Sequence, residues 1–321
     1  MAETSIEWTD KVWNPTTGCT RISAGCKNCY AFELHDKRHE AFKRGAKLPQ
    51  QYAKPFTELQ MFEDRLEAPL RWKKPCRVFV NSMSDLFHED VPFESIDRVF
   101  AVMRLCPQHT FQVLTKRAHR MAQYFGENDG LTTPLRIEHQ AQLMEGKSDD
   151  GTWAQGLIPW PIPNVWLGVS VENQEQADKR IPWLLKVPAA VRFLSVEPML
   201  GPIELSEWMC TVRVEHNGDG DTQEVACKPD IHWVIVGGES GTDARPCSLD
   251  WVRPLKQQCH AVGVPFFFKQ AGSFPSTGIL VASALHFKDK KGSDPSEWPE
   301  DLRVREFPKE VSDEKEETET I

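Results

Sequence analysis

Val165-Trp166-Leu167-Gly168-Val169 runs into the polar Ser170-Val171-Glu172-Asn173, then a charged stretch from Gln174 to Leu185, and then Val191-Arg192-Phe193-Leu194-Ser195-Val196. The two apolar runs are short and β-branched, and they read as strands buried on both faces. The segment between them reads as a helix. The same rhythm extends outward in both directions. Upstream, Val78-Phe79-Val80-Asn81 precedes a helix from Pro92 to Leu105 that places Phe93, Ile96, Val99, Phe100 and Met103 on one face. Thr110-Phe111-Gln112-Val113-Leu114 then precedes a short helix from Ala118 to Phe125. Downstream stand His232-Trp233-Val234-Ile235-Val236, a helix capped by Ser248 with Trp251, Val252 and Leu255 inward, and Val264-Pro265-Phe266-Phe267-Phe268. With a first strand before Cys19 and a helix from Ala31 to Arg44, this gives about seven β/α units. That is too few for a closed eight-fold barrel and enough for a partial (β/α) TIM-type barrel.

Two segments break the rhythm. Residues 127–163 form a long excursion, and 204–230 read as a β-hairpin or flap; insertions of this kind sit on the rim of such folds. The expected organisation is a barrel domain over 1–285 carrying both insertions, followed by an extension over 286–321 with an acidic, disordered end.

The chain has 321 residues, nine cysteines and a formal net charge of −9. Mild acidity advertises no global nucleic-acid field. An odd cysteine count, the length and an N-terminus (Met1-Ala2-Glu3-Thr4) unlike a signal peptide argue against a secreted disulfide scaffold. No apolar run approaches the roughly 20 residues of a membrane span. The expectation is a cytoplasmic protein with no membrane partner and with reduced thiols. Cys76, Cys106, Cys247 and Cys259 lie in or beside apolar stretches and read as buried small hydrophobes. Cys210, Cys227 and His232 offer three zinc donors, or two incidental cysteines and a histidine.

Ligands of parallel α/β folds bind at the carboxyl ends of the strands. Here those ends carry Asn81-Ser82-Met83-Ser84-Asp85, Thr115-Lys116-Arg117, Ser170-Val171-Glu172-Asn173, Ser195-Val196-Glu197-Pro198, Gly237-Gly238-Glu239-Ser240-Gly241 and Lys269-Gln270. Ser84, Asp85 and Asn173 serve equally as helix caps. The glycine pair suits a close backbone approach to a ligand or a plain turn, and Arg245 an anion or a surface ion pair.

Three cysteines, Cys19, Cys26 and Cys29, share one loop: Trp13-Asn14-Pro15-Thr16-Thr17-Gly18-Cys19, then Gly25-Cys26-Lys27-Asn28-Cys29-Tyr30. Three thiolates can hold three irons of a 4Fe-4S cluster and leave the fourth open. The rival is zinc, with His35 completing a Cys₃His tetrahedron; the Cys-x₆-Cys-x₂-Cys spacing is not a common zinc pairing.

This cysteine loop at the start of repeated β/α units, with Tyr30 after its last cysteine, resembles the radical S-adenosylmethionine superfamily, although that superfamily usually has three residues in the first gap. The motifs quoted above, with Leu86-Phe87 after Asp85, resemble a phage- and prophage-associated radical-SAM-like family over roughly residues 5–275. Spore photoproduct lyase is a more distant likeness. The resemblance implies that Cys19, Cys26 and Cys29 bind a 4Fe-4S cluster whose open iron takes S-adenosylmethionine. It implies Ser82, Ser84 and Asp85 at the methionine amino group, Lys116 at its carboxylate, Ser170 and Glu172 at the ribose, and Tyr30 near the adenine. A 5′-deoxyadenosyl radical would then abstract hydrogen from substrate, with an electron donor as partner. Glu197, Glu239, Arg245, Lys269 and Gln270 are the candidates for holding substrate, and Cys247 for donating hydrogen to a product radical.

Three functions compete. The first is radical modification or repair of nucleic acid, drawing on the lyase likeness and on basic pieces such as Arg71-Trp72-Lys73-Lys74 and Lys116-Arg117-Ala118-His119-Arg120. The second is radical chemistry on a small molecule or peptide. The third is a non-catalytic iron–sulfur or zinc protein acting in phage defence with a three-cysteine-motif partner protein.

Overall fold

A computed structural model describes residues 4–126, 132–147, 159–209, 212–216, 222–226, 229–278 and 284–309. The chain forms an α/β fold whose seven sheet strands follow chain order, four in a first compact unit and three in a second. The neighbours within each unit are parallel. Strands taken in chain order, without the reversal of a doubly wound sheet, have the connectivity expected of a partial (β/α) barrel.

The first unit covers Met1–Val169 and Pro182–Ala190. Its sheet runs β1 (Lys11–Trp13), β4 (Arg77–Val80), β5 (Thr110–Thr115), β6 (Val165–Ser170). A short antiparallel pair, β2 (Thr16–Thr17) with β3 (Gln60–Met61), flanks the cysteine loop. The helices are α1 (Tyr30–Lys43), α2 (Glu63–Leu66), α3 (Phe93–Arg104), α4 (Ala118–Phe125), α5 (Thr132–Met144) and α6 (Gln174–Leu185), the last shared with the second unit. Val78, Val80, Phe111, Val113 and Leu167 from the strands are buried with Ile96, Val99, Phe100 and Met103 of α3. Each such side chain contributes about 1.5–3 kcal/mol on burial.

Part of the excursion expected over 127–163 is helical. α5 packs along α3 through the Arg104–Glu138 and Arg136–Asp97 ion pairs, at 2.7 and 3.1 Å.

The second unit covers Ser170–Ile181 and Val191–Ile321. Its sheet runs β7 (Val191–Val196), β10 (Trp233–Gly237), β12 (Phe266–Gln270). The insertion does contain an antiparallel hairpin, β8 (Val212–His216) with β9 (Thr222–Ala226). A parallel bridge joins β11 (Cys247–Ser248) to β13 (Pro275–Ser276), and α7 (Leu249–Ala261) begins at a Ser248 cap that accepts from Asp250 N at 3.3 Å.

The described part of the extension is structured. Phe268 N bonds Val304 O at 2.9 Å and Glu306 N bonds Phe266 O at 3.0 Å, so residues 304–306 line β12. Trp298 and Leu302 are buried, with the Trp298 ring 4.6 Å from Phe268. Covering β12 this way satisfies backbone groups that an edge strand leaves open. Residues 310–321, expected to be disordered, lie outside the described set, as do Cys210 and Cys227. Among the described residues no helix is long and apolar enough to cross a membrane.

Candidate functional site

The chain leaves β2 through Gly18, whose φ is +104° and whose added Cβ would lie 2.5 Å from Glu58 O. Only glycine fits there. Gly18 N bonds Met83 O at 3.1 Å and Cys19 N bonds Phe56 O at 2.9 Å, which anchors the start of the cysteine loop. Cys26 ends a short 3₁₀ turn, with Ser23 Oγ 3.8 Å from its Sγ, and Cys29 stands at the N-cap of α1. All three thiols are half-buried and free. Cys19 and Cys29 pack against the same buried trio, Ala31, Phe32 and Phe56.

The loop after β4 is tied to this region by side chains distant in sequence. Asn14 Oδ1 accepts from Met83 N at 2.9 Å and from Ser82 Oγ at 3.2 Å. Thr16 and Ser84 share a hydroxyl hydrogen bond at 2.7 Å. Tyr30, half exposed, donates its phenol to Ser82 O. Asp85 is buried and accepts from Phe87 N, Thr115 Oγ1, Lys116 N and Arg117 Nη1 at 3.0, 2.7, 3.0 and 3.2 Å. The structure thus brings Cys19, Tyr30, Ser82, Ser84, Asp85 and Lys116 into one neighbourhood. Ser82, Ser84 and Asp85 serve there as braces between strand-end loops.

Sequence reasoning missed the centre of that neighbourhood. Arg117, only 3% exposed in its side chain, donates from Nε to Glu89 Oε2 at 2.8 Å and from Nη1 to Asp85. Nη1 also donates to Cys19 Sγ at 3.6 Å, and Nη2 to Thr20 O and Oγ1 at 3.2 and 2.8 Å. Burial works against its charge, but Asp85 and Glu89 hold the guanidinium above its ordinary value. Burial, and then the Asp85 carboxylate, push the Cys19 thiol up to about 11 against the pull of Arg117. Asn14 and Thr16 were quoted with the cysteine stretch but given no role, and Thr20 and Glu89 were passed over.

The second unit has its own polar cluster. Ser170 Oγ donates to Glu197 O at 3.2 Å, and Glu172, fully buried, pairs with Arg180 at 2.8 Å. Arg180 is another partner the sequence did not announce. Asn173 is a helix cap, its Oδ1 accepting from Gln176 N at 3.0 Å. Glu197 pairs with Lys269 at 2.8 Å. Glu239 is held by Arg245 through Nη2, Nε and the backbone N at 2.7, 3.0 and 2.9 Å, and this contact first of all raises the Arg245 pKa. Gln270 Nε2 donates to Gly238 O at 2.8 Å. Cys247 is 1% exposed, and burial pushes its thiol up to about 12.

Among the described residues, no three His, Cys, Asp or Glu side chains gather as ligands of one ion. His35 is fully buried, with Nε2 2.9 Å from Lys54 O and its ring against Tyr52 and Phe56. It is a core histidine, with Nε2 committed to Lys54 O and Nδ1 buried without a hydrogen-bond partner. His232 Nδ1 accepts from Arg192 N at 2.9 Å.

Of the basic pieces, Arg117 is internal and Arg120 bonds His88 O and Val91 O at 3.2 and 2.8 Å. Arg71, Lys73 and Lys74 are exposed, with Lys11 over the Trp72 ring at 4.6 Å.

No curated protein and no solved structure matches this chain. A family profile described as a protein of unknown function (DUF5131) matches residues 3–313, and the chain belongs to that family.

Proposed function

We propose that this protein is a radical S-adenosylmethionine enzyme whose Cys19, Cys26 and Cys29 hold a 4Fe-4S cluster. The observation that carries this function is the cysteine loop itself: three half-buried thiols, with Cys19 held by Arg117 just past β5 and the adjoining Gly18 bonded to the loop after β4. The donor set fits such a group better than it fits zinc. The Cys-x₆-Cys-x₂-Cys spacing is not one of the common paired zinc spacings. Three thiolates each take a separate iron and leave the fourth iron open.

When bound, the cluster and S-adenosylmethionine supply one-electron cleavage of a sulfonium carbon–sulfur bond. The chain's own residues bind and orient. Lys116, half-buried at the end of β5, is the proposed cation for the methionine carboxylate, and Tyr30 the proposed surface for adenine. Ser82, Ser84 and Asp85 shape the loop that receives the amino group. Glu197–Lys269 and Glu239–Arg245 are proposed to hold substrate by exchanging an internal partner for a ligand group. Cys247 is left out: it keeps its hydrogen but has almost no surface with which to touch a substrate.

Nucleic acid is the substrate class implied by the lyase likeness, with Arg71, Lys73 and Lys74 as its electrostatic support. The internal commitment of Arg117 and Arg120 favours a second substrate class, a small molecule or peptide. Anaerobic purification followed by iron, sulfide and zinc analysis tests the proposal, with 5′-deoxyadenosine release under reduction measured with and without DNA. About four irons per chain, with release, supports it. Zinc without iron, and no release, overturns it and favours a partner-dependent binding protein. Release stimulated by DNA selects nucleic acid.

A further inference from the structure

Arg117 spends one of its few donors on a sulfur. Its guanidinium is almost wholly buried, yet Nη1 faces Cys19 Sγ at 3.6 Å and Nη2 grips the next residue, Thr20, at both carbonyl and hydroxyl. A loop clamp alone needs only the Thr20 contacts. Asp85, bonded by that same Nη1, and Glu89, bonded by Nε, fix the guanidinium beside the sulfur. Lys116, one residue earlier, carries the same charge and does not share this position among the described contacts of Cys19.

We infer that Arg117 is a positioning residue that sets the electron affinity of the iron–sulfur group bound through Cys19, by a charged hydrogen bond to that sulfur. The inference rests on the cluster proposed above. Reduction adds one electron to the cluster, supplied by an external one-electron donor, and forms or breaks no bond to Arg117. A fixed positive charge beside a ligating sulfur in a desolvated site stabilises the added negative charge, and hydrogen bonds to the sulfurs are among the levers that set such potentials. Glu89 acts through Arg117 in the opposite sense. It offsets part of the cation, and its carboxylate is 60% exposed, so it can be neutralised with little effect on packing.

The test is a redox titration, followed by electron paramagnetic resonance, of the anaerobically reconstituted full chain. It compares wild type with Arg117→Gln, Arg117→Lys and Glu89→Gln, with iron and sulfide content measured for each. The expected order of midpoint potentials is Arg117→Gln lowest, Arg117→Lys intermediate, wild type higher and Glu89→Gln highest. A merely structural clamp lowers iron content and thermal stability in the Arg117 variants but leaves the potential of the loaded fraction unmoved; that result overturns the inference. If Arg117→Gln does not fold, the upward shift in Glu89→Gln decides, and no shift or a downward one overturns it. Wild type without iron removes the cluster proposal and the inference together. Iron-loaded wild type with potentials insensitive to these substitutions removes the inference alone.

Discussion

Glu197 Oε1 accepts from Lys269 Nζ at 2.8 Å in space left by Gly237, where an added Cβ would meet that oxygen at 2.5 Å. One ion pair therefore depends on three strand ends, β7, β10 and β12, and on the absence of a side chain at the middle one. Gly237→Ala should displace the carboxylate and lower stability by about 1–3 kcal/mol, as overpacking does. In a Glu197→Ala background the same substitution should cost much less, because the clash is with the glutamate. Urea unfolding of the four proteins tests this; equal costs in both backgrounds would reject the contact as the cause.

Among the described residues, Arg180 and Glu172 form the most deeply buried ion pair of the second unit, with side-chain exposures of 6% and 0%. Arg180 Nη1 also donates to Ser170 O at 2.6 Å. Arg180→Met should lower stability by about 3–5 kcal/mol, since it removes a direct charged partner of a fully buried carboxylate. Glu172→Met combined with Arg180→Met should recover much of that loss. A double variant as unstable as the sum of the singles would show that the pair does not act as a unit.

The strand–helix rhythm was legible because its signal is local: short apolar strands, and helices such as α3 with one apolar face. α5 was not, because its buried residues include Thr133, Pro134 and Glu138 as well as Ile137 and Ala141, and it docks partly through ion pairs. The extension was also underread: Trp298 and Leu302 sit in a charged segment, and only the fold shows them covering β12. At the candidate site, spacing alone had singled out the three cysteines. The tasks of Ser82 and Ser84 were not legible in this way, since their partners Asn14 and Thr16 each lie 68 residues away. Lys116 and Arg117 look alike in sequence, yet only burial identifies Arg117 as the hub.

Asn81 follows β4 with φ at +61°, is 3% exposed, and has neither side-chain amide atom hydrogen-bonded. Asparagine tolerates this left-handed backbone better than most residues, but the buried amide is a cost with no visible return. Asn81→Gly should therefore leave stability unchanged or raise it by up to about 1 kcal/mol, because glycine accepts the backbone and removes the amide. Asn81→Ala should be worse than Asn81→Gly by about 1 kcal/mol, the cost of a Cβ at positive φ. Thermal denaturation of the two variants separates backbone from side chain. A large loss in Asn81→Gly would mean that the amide is satisfied in solution.

His88 makes stability depend on acid. Asp90 N donates to its Nδ1 at 3.2 Å, which places the ring proton on Nε2, 2.9 Å from Thr20 Oγ1. Burial, and then the neighbouring Arg117 charge, hold the His88 pKa below its ordinary 6.5. The native state thus favours the neutral ring. The contribution to stability is present above about pH 6.5 and is lost as pH falls through the lower native value, because the unfolded chain takes up the proton first. A second proton would have to enter at Nδ1, against the Asp90 N–H. His88→Gln cannot titrate and should flatten the fall in unfolding midpoint between about pH 7 and pH 5. Identical acid slopes in wild type and variant would assign the loss to carboxylates elsewhere. A flatter slope would identify His88 as the group through which acid loosens Thr20, and with it the first turn of the cysteine loop.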